Sequence, residues 1–129
     1  MPLIRVYHPQ DSLSPERRAA LAEQLTHVIV EIEGGAGADG PKARAIAWVM
    51  FHEVAKDAWA IGGVFDDTYV SPPGKFLIRV YVPEGSLSRE RKAMVHKAVD
   101  DAFRHAITKM SHLHFTSNKD STRRLIQLG

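Results

Sequence analysis

The chain says the same thing twice. Residues 3–19, LIRVYHPQDSLSPERRA, return at 77–93 as LIRVYVPEGSLSRERKA, with twelve of seventeen pairs identical at an offset of 74. Chance does not repeat such a phrase within 129 residues, so the fold must be built from two related halves. We expect one domain made of pseudo-repeats at about 2–65 and 76–126, joined by a linker at 66–75 that contains Pro72-Pro73-Gly74.

Each half opens with Leu-Ile-Arg-Val-Tyr, whose β-branched and aromatic residues predict a strand that Pro9 or Pro83 ends. Ser14 and Ser88 then stand as helix N-caps, with Pro15 at the first helical position and Glu16 or Glu90 in the first turn. Leu21, Leu25, Val28 and Ile29 repeat as Val95, Val99, Ala102 and Phe103, in the i, i+4, i+7, i+8 spacing of one buried stripe. These helices should end near Ile32 and Lys109. A glycine-rich loop at 34–40 leads to a second strand over Arg44–Val54, whose apolar run from Ala45 to Phe51 predicts burial on both faces. Its counterpart in the second half is expected over His112–Ser117.

Two strand–helix–strand units with right-handed crossovers make an α+β fold: a four-stranded mixed sheet with two helices on one face. The other face would lie bare, since the pattern offers no third helix to cover it. Self-association through that face is therefore expected.

Composition narrows the chemistry. With no cysteine, a disulfide framework, thiolate catalysis and cysteine-bound zinc are excluded. Lys+Arg 17 against Asp+Glu 15 gives a net charge of +2, too small and scattered a surplus to imply nucleic acid. Nor does any apolar run reach the eighteen or so residues of a membrane span. The start, MPLIRVYHPQD, lacks the pattern of a signal peptide, so a soluble, cytoplasmic protein is expected.

Pro2 at the head of the first strand, the duplication, and the turn Trp59-Ala60-Ile61-Gly62-Gly63 together resemble the tautomerase superfamily, typified by 4-oxalocrotonate tautomerase. The resemblance covers essentially the whole chain. Short members of that family are single strand–helix–strand units that form hexamers; longer, fused members form trimers, and this chain is similar to the latter. The resemblance implies an enol–keto isomerase with no cofactor, a homotrimer acting on a small-molecule carboxylate through Pro2. Loss of Met1 would leave a secondary amine whose proton affinity lies near neutrality, and apolar walls and nearby cations would lower it further. Such an amine can move a proton between oxygen and carbon. Phe76 holds the matching place in the second half, so one such site per chain is implied.

Trp59 matches the aromatic wall of the family's pocket. The arginines by which short members grip a dicarboxylate are absent, their positions being held by Ser12 and Trp48. The catalytic set of the related cis-3-chloroacrylic acid dehalogenase branch is also unmatched, with Ile29, Phe115 and Ile126 at the aligned places. A dehalogenase-like hydratase, a decarboxylase, and a non-catalytic trimeric binding protein stand as alternatives. The candidate cations for a carboxylate are Arg5, Arg79 and Arg123, the last aligning with Trp59 at an offset of 64, together with Arg124. His8 shares Pro2's strand parity and so faces the same side of the sheet. His112 and His114 form a lone pair with no nearby carboxylate, so no metal site is expected.

Overall fold

The computed structural model describes residues 2–34, 40–85, 87–111 and 125–128. Strand β1 (Leu3–Pro9) leads to helix α1 (Pro15–Gly34), a short helix α2 (Pro41–Ala45) and strand β2 (Trp48–Val54). Strand β3 (Leu77–Tyr81), helix α3 (Arg89–Ser111) and strand β4 (Leu125–Leu128) follow. The result is an α+β fold on a mixed sheet of order β2-β1-β3-β4. β1 runs parallel to β2 and antiparallel to β3, and β3 runs parallel to β4.

The helices start where the repeated phrase places them. The hydroxyl of Ser14 accepts the backbone N–H of Arg17 at 3.2 Å, and that of Ser88 accepts Arg91 N–H at 3.2 Å. Each thereby satisfies one of the N–H groups that a helix start leaves over. At the far end of α1, the Arg91 guanidinium donates to the Ile32 carbonyl at 2.7 Å, tying the end of one helix to the start of the other.

Alternation on the two central strands decides what is core. Ile4, Val6, Ile78 and Val80 are buried, while Leu3, Arg5, Tyr7, Leu77, Arg79 and Tyr81 between them are only partly covered. The buried set packs against Leu21, Leu25, Ile29, Val95, Val99 and Phe103, the stripe positions of the two helices.

The register carries a local symmetry. Arg5 lies opposite Arg79, its own counterpart in the repeat, with Leu3 opposite Tyr81 and Tyr7 opposite Leu77. A twofold axis relating the two phrases therefore passes between Arg5 and Arg79, and it sends the Pro2 end of β1 to the Phe76 end of β3.

Two expectations change, and a third falls outside the described residues. The second strand begins at Trp48 rather than Arg44, because Pro41 opens the short helix α2 over the preceding residues. Arg44 on α2 is ion-paired with Glu23 on α1. β2 is also not buried on both faces: Trp48 and Met50 are 50% and 42% exposed. It forms an edge of the sheet, and only Val49 and Phe51 pack toward the core. Finally, the stretch His112–Ser117 lies outside the described residues, and the strand paired parallel to β3 is Leu125–Leu128.

Candidate functional site

Pro2 sits where β1 begins, with its side chain fully buried. Its carbonyl accepts the backbone N–H of Trp48 at 3.1 Å, which docks the start of β2 beside it. The next residue, Leu3, pairs with Trp48 on one side and Tyr81 on the other. Proline is suited to this place, since its ring fixes φ and the strand carries on from Leu3.

Trp59 is at the opposite end. It borders a cavity of about 790 Å³, together with Pro9, Ser12, Lys56, Phe65, Lys75 and Phe76. Seven steps of about 3.3 Å put Pro2 roughly 23 Å from Pro9, beside which Trp59 lies, so Trp59 and Pro2 do not meet within one chain. His8 shares Pro2's side of the sheet but belongs to the cavity end as well. It is fully buried, with Nδ1 at 3.0 Å from the Pro9 carbonyl and 3.1 Å from the Ser12 hydroxyl. A carbonyl only accepts, so Nδ1 carries the proton. Nε2 is buried with no hydrogen-bond partner among the described residues.

Arg5 and Arg79 come together on the uncovered face of the sheet, directly opposite one another. Tyr81 lies between their charges. The Arg5 guanidinium stands 5.3 Å from the centre of its ring. Arg79 is held above the ordinary guanidinium value, first by a hydrogen bond to Tyr81 and then by charge on that phenol, against a smaller opposing effect of desolvation. Arg123 lies outside the described residues.

Sequence reasoning passed over Lys75. The residue is 8% exposed, and its ammonium donates to the carbonyls of Trp59 at 2.8 Å and Phe65 at 3.1 Å, drawing the intervening turn against the base of β3. A lone lysine after Pro-Pro-Gly carries no sign of burial, because lysines are nearly always exposed. Asp66 beside it keeps its carboxyl below the usual value, chiefly through the Thr68 hydroxyl and backbone N–H and further through the Lys75 charge, with burial opposing. Gly62 closes the same turn: its φ is +64°, and a Cβ there would meet the Tyr69 ring at 2.5 Å.

The sequence profile described as "Tautomerase enzyme" matches residues 2–66, just over half the chain, starting at Pro2. The chain belongs to the tautomerase family. Its fold is shared with solved fused 4-OT structures. Among solved structures, a wild-type fused 4-OT symmetric trimer matches 98% of this tautomerase-family chain and 83% of its own, with TM-score 0.67 and 19% identity. A malonate semialdehyde decarboxylase inhibited by 3-bromopropiolate matches at TM-score 0.62 and 17% identity, over 98% of this chain and 81% of its own. The macrophage migration inhibitory factor of Toxoplasma gondii matches at TM-score 0.62 and 12% identity, over 98% and 87%. At such identities these likenesses speak for the fold.

Two curated relatives match only briefly. A GDP/UDP-N,N'-diacetylbacillosamine 2-epimerase of Campylobacter jejuni is 59% identical over 32 residues, which is 25% of this chain and 8% of that protein. A UDP-N-acetylglucosamine 2-epimerase of Neisseria meningitidis is 48% identical over 31 residues, 24% and 8%. The chain thus spans under a tenth of the length of either. Among the described residues no helix is long and apolar enough to cross a membrane, and no three His, Asp or Glu side chains converge on a metal position.

Proposed function

We propose that this protein is a keto–enol tautomerase acting on a small 2-oxo acid, with Pro2 as the general acid and base. The observation that carries the reading is the buried proline heading β1, at the first residue of the tautomerase match. Removal of Met1 would turn its amide nitrogen into a secondary amine. In apolar surroundings the charged form of that amine is disfavoured, so it works as a base near neutral pH. It takes the enol hydroxyl proton and returns a proton to carbon, while the ring keeps the nitrogen in one position.

Polarising a 2-oxo carboxylate requires a cation near that nitrogen. Arg5, Arg79 and Arg123 are the candidates that the sequence offers. Assembly as a trimer is part of the proposal. It is supported by the trimeric fused 4-OT neighbour and by the open sheet face of Trp48, Met50, Arg5 and Arg79.

The test is ketonisation of phenylenolpyruvate and 2-hydroxymuconate by the wild type and by Pro2→Ala, with intact mass reporting the fate of Met1. A loss of at least about a hundredfold in kcat/KM is expected for the variant, the usual share of a positioned acid–base group. Equal rates in the two proteins would overturn the assignment. Because one solved neighbour is a malonate semialdehyde decarboxylase, that substrate belongs in the same assay, and turnover of it alone would shift the reaction class.

A further inference from the structure

The cavity beside Trp59 is not the Pro2 site. It lies at the other end of β1, and Pro2 is not among its lining residues. The local twofold explains why a cavity stands there. The axis between Arg5 and Arg79 carries Pro2 onto Phe76, and Phe76 is one of the cavity's walls. Duplication therefore sets the heads of the two phrases at opposite ends of the sheet, with a potential amine at one and a benzyl side chain at the other, and the cavity lies at the second. Phe76 is buried edge-on against Phe103, with ring centres 4.8 Å apart, and its nitrogen is an ordinary chain amide. No base can form there, so the pocket can hold a molecule without enolising it.

What it holds is written on its walls. Trp59, Phe65, Phe76, Val70 and Ile107 supply aromatic and aliphatic surface, and about 790 Å³ leaves ample room for a molecule of one ring and a short chain. The buried cation supplies the polar anchor. Lys75 is more than nine-tenths buried on the cavity wall, and an ammonium has three donors. Two of these go to the Trp59 and Phe65 carbonyls; the third has no hydrogen-bond partner among the described residues. Lys56 on the same wall makes no hydrogen bond or ion pair with a described residue. Of the two wall carboxylates, Asp66 and Asp67, the first is already engaged by two donors from Thr68. A buried ammonium with a donor to spare is costly unless an acceptor meets it, and an anionic acceptor meets it best.

We propose that this pocket is a second, non-catalytic binding site for a planar aromatic or conjugated monocarboxylate, which Lys75 anchors through its carboxylate. The site stands independently of the chemistry at Pro2.

The two tryptophans make it measurable, because Trp48 marks the Pro2 end and Trp59 the cavity. Trans-cinnamate, which has no enolisable ketone, is titrated into the full-length protein while both indole N–H signals are followed by NMR. Trp48→Phe assigns them. The Trp59 signal is expected to move saturably, with the same midpoint within twofold in Pro2→Ala. Cinnamamide, of the same shape without charge, should bind roughly tenfold more weakly, as should cinnamate to Lys75→Met. Shifts confined to the Trp48 signal, no saturable shift at all, or equal binding of acid and amide would overturn the proposal. Should Lys75→Met fail to fold, the comparison of acid and amide in the wild type still decides.

Discussion

Asp66 and Thr68 hold the edge of the cavity through one side chain's grip on another. The depressed carboxyl of Asp66 means that its charged form is favoured by folding. Its contribution is therefore complete above the ordinary carboxylate range and is lost as pH falls through the lower, folded value. Thr68→Val keeps the backbone N–H bond but deletes the hydroxyl donor, the largest cause of the shift. The Asp66 value should rise toward, but not reach, the ordinary one near about 3.9. Titration of the side-chain carboxyl by carbon NMR reads this directly, and an unmoved midpoint would mean that the turn is held otherwise. Lys75 shows what single residues hide. Its burial depends on carbonyls sixteen and ten positions earlier in the chain, which no local pattern of charge or hydropathy foretells.

Among the elements, the ones most legible in the sequence are those whose signals are local and duplicated. Serine caps, first-turn acids and the apolar stripe name α1 and α3 to within two residues at their ends, as boundaries set by fraying allow. Pairing partners are less legible. Ala45 to Phe51 reads as doubly buried because apolar side chains also occupy interfaces between chains, and a single sequence does not say which neighbour covers them. The proposal of Pro2 as a base is legible from its place directly after Met1; that Trp59 belongs to the other end of β1 is not, because it follows from strand direction. The repeated caps carry a prediction of their own. Ser14→Ala and Ser88→Ala each remove an acceptor from the backbone N–H of the third residue of their helix and should each cost about 1 kcal/mol in urea unfolding. Being on separate helices, the two losses should add within about 0.5 kcal/mol. A core truncation on the same elements is harsher: Leu25 is fully buried, and Leu25→Ala should cost about 2–5 kcal/mol.

At the scale of the whole molecule, the uncovered sheet face is an unfinished structure. It sets Trp48 and Met50, both substantially exposed, beside Arg5 and Arg79, two like charges forced opposite one another by the register. Tyr81 offsets part of that repulsion, yet the Nε atoms of both arginines are buried with no hydrogen-bond partner among the described residues. Apolar surface that gains from cover and guanidinium groups that still need acceptors both point to further chains of the same kind. Under the proposed trimer, Met50→Glu should convert a particle of three times 14.4 kDa into one of 14.4 kDa by light scattering, with the helical circular dichroism signal kept. Replacing the exposed Met94, which lies on α3 away from this face, by the same residue should leave the mass unchanged. If the partner chains also wall the Pro2 end, the monomeric variant loses kcat/KM in proportion to its dissociation and regains it at high protein concentration. A monomer with full activity at every concentration would mean that each chain carries a complete site by itself.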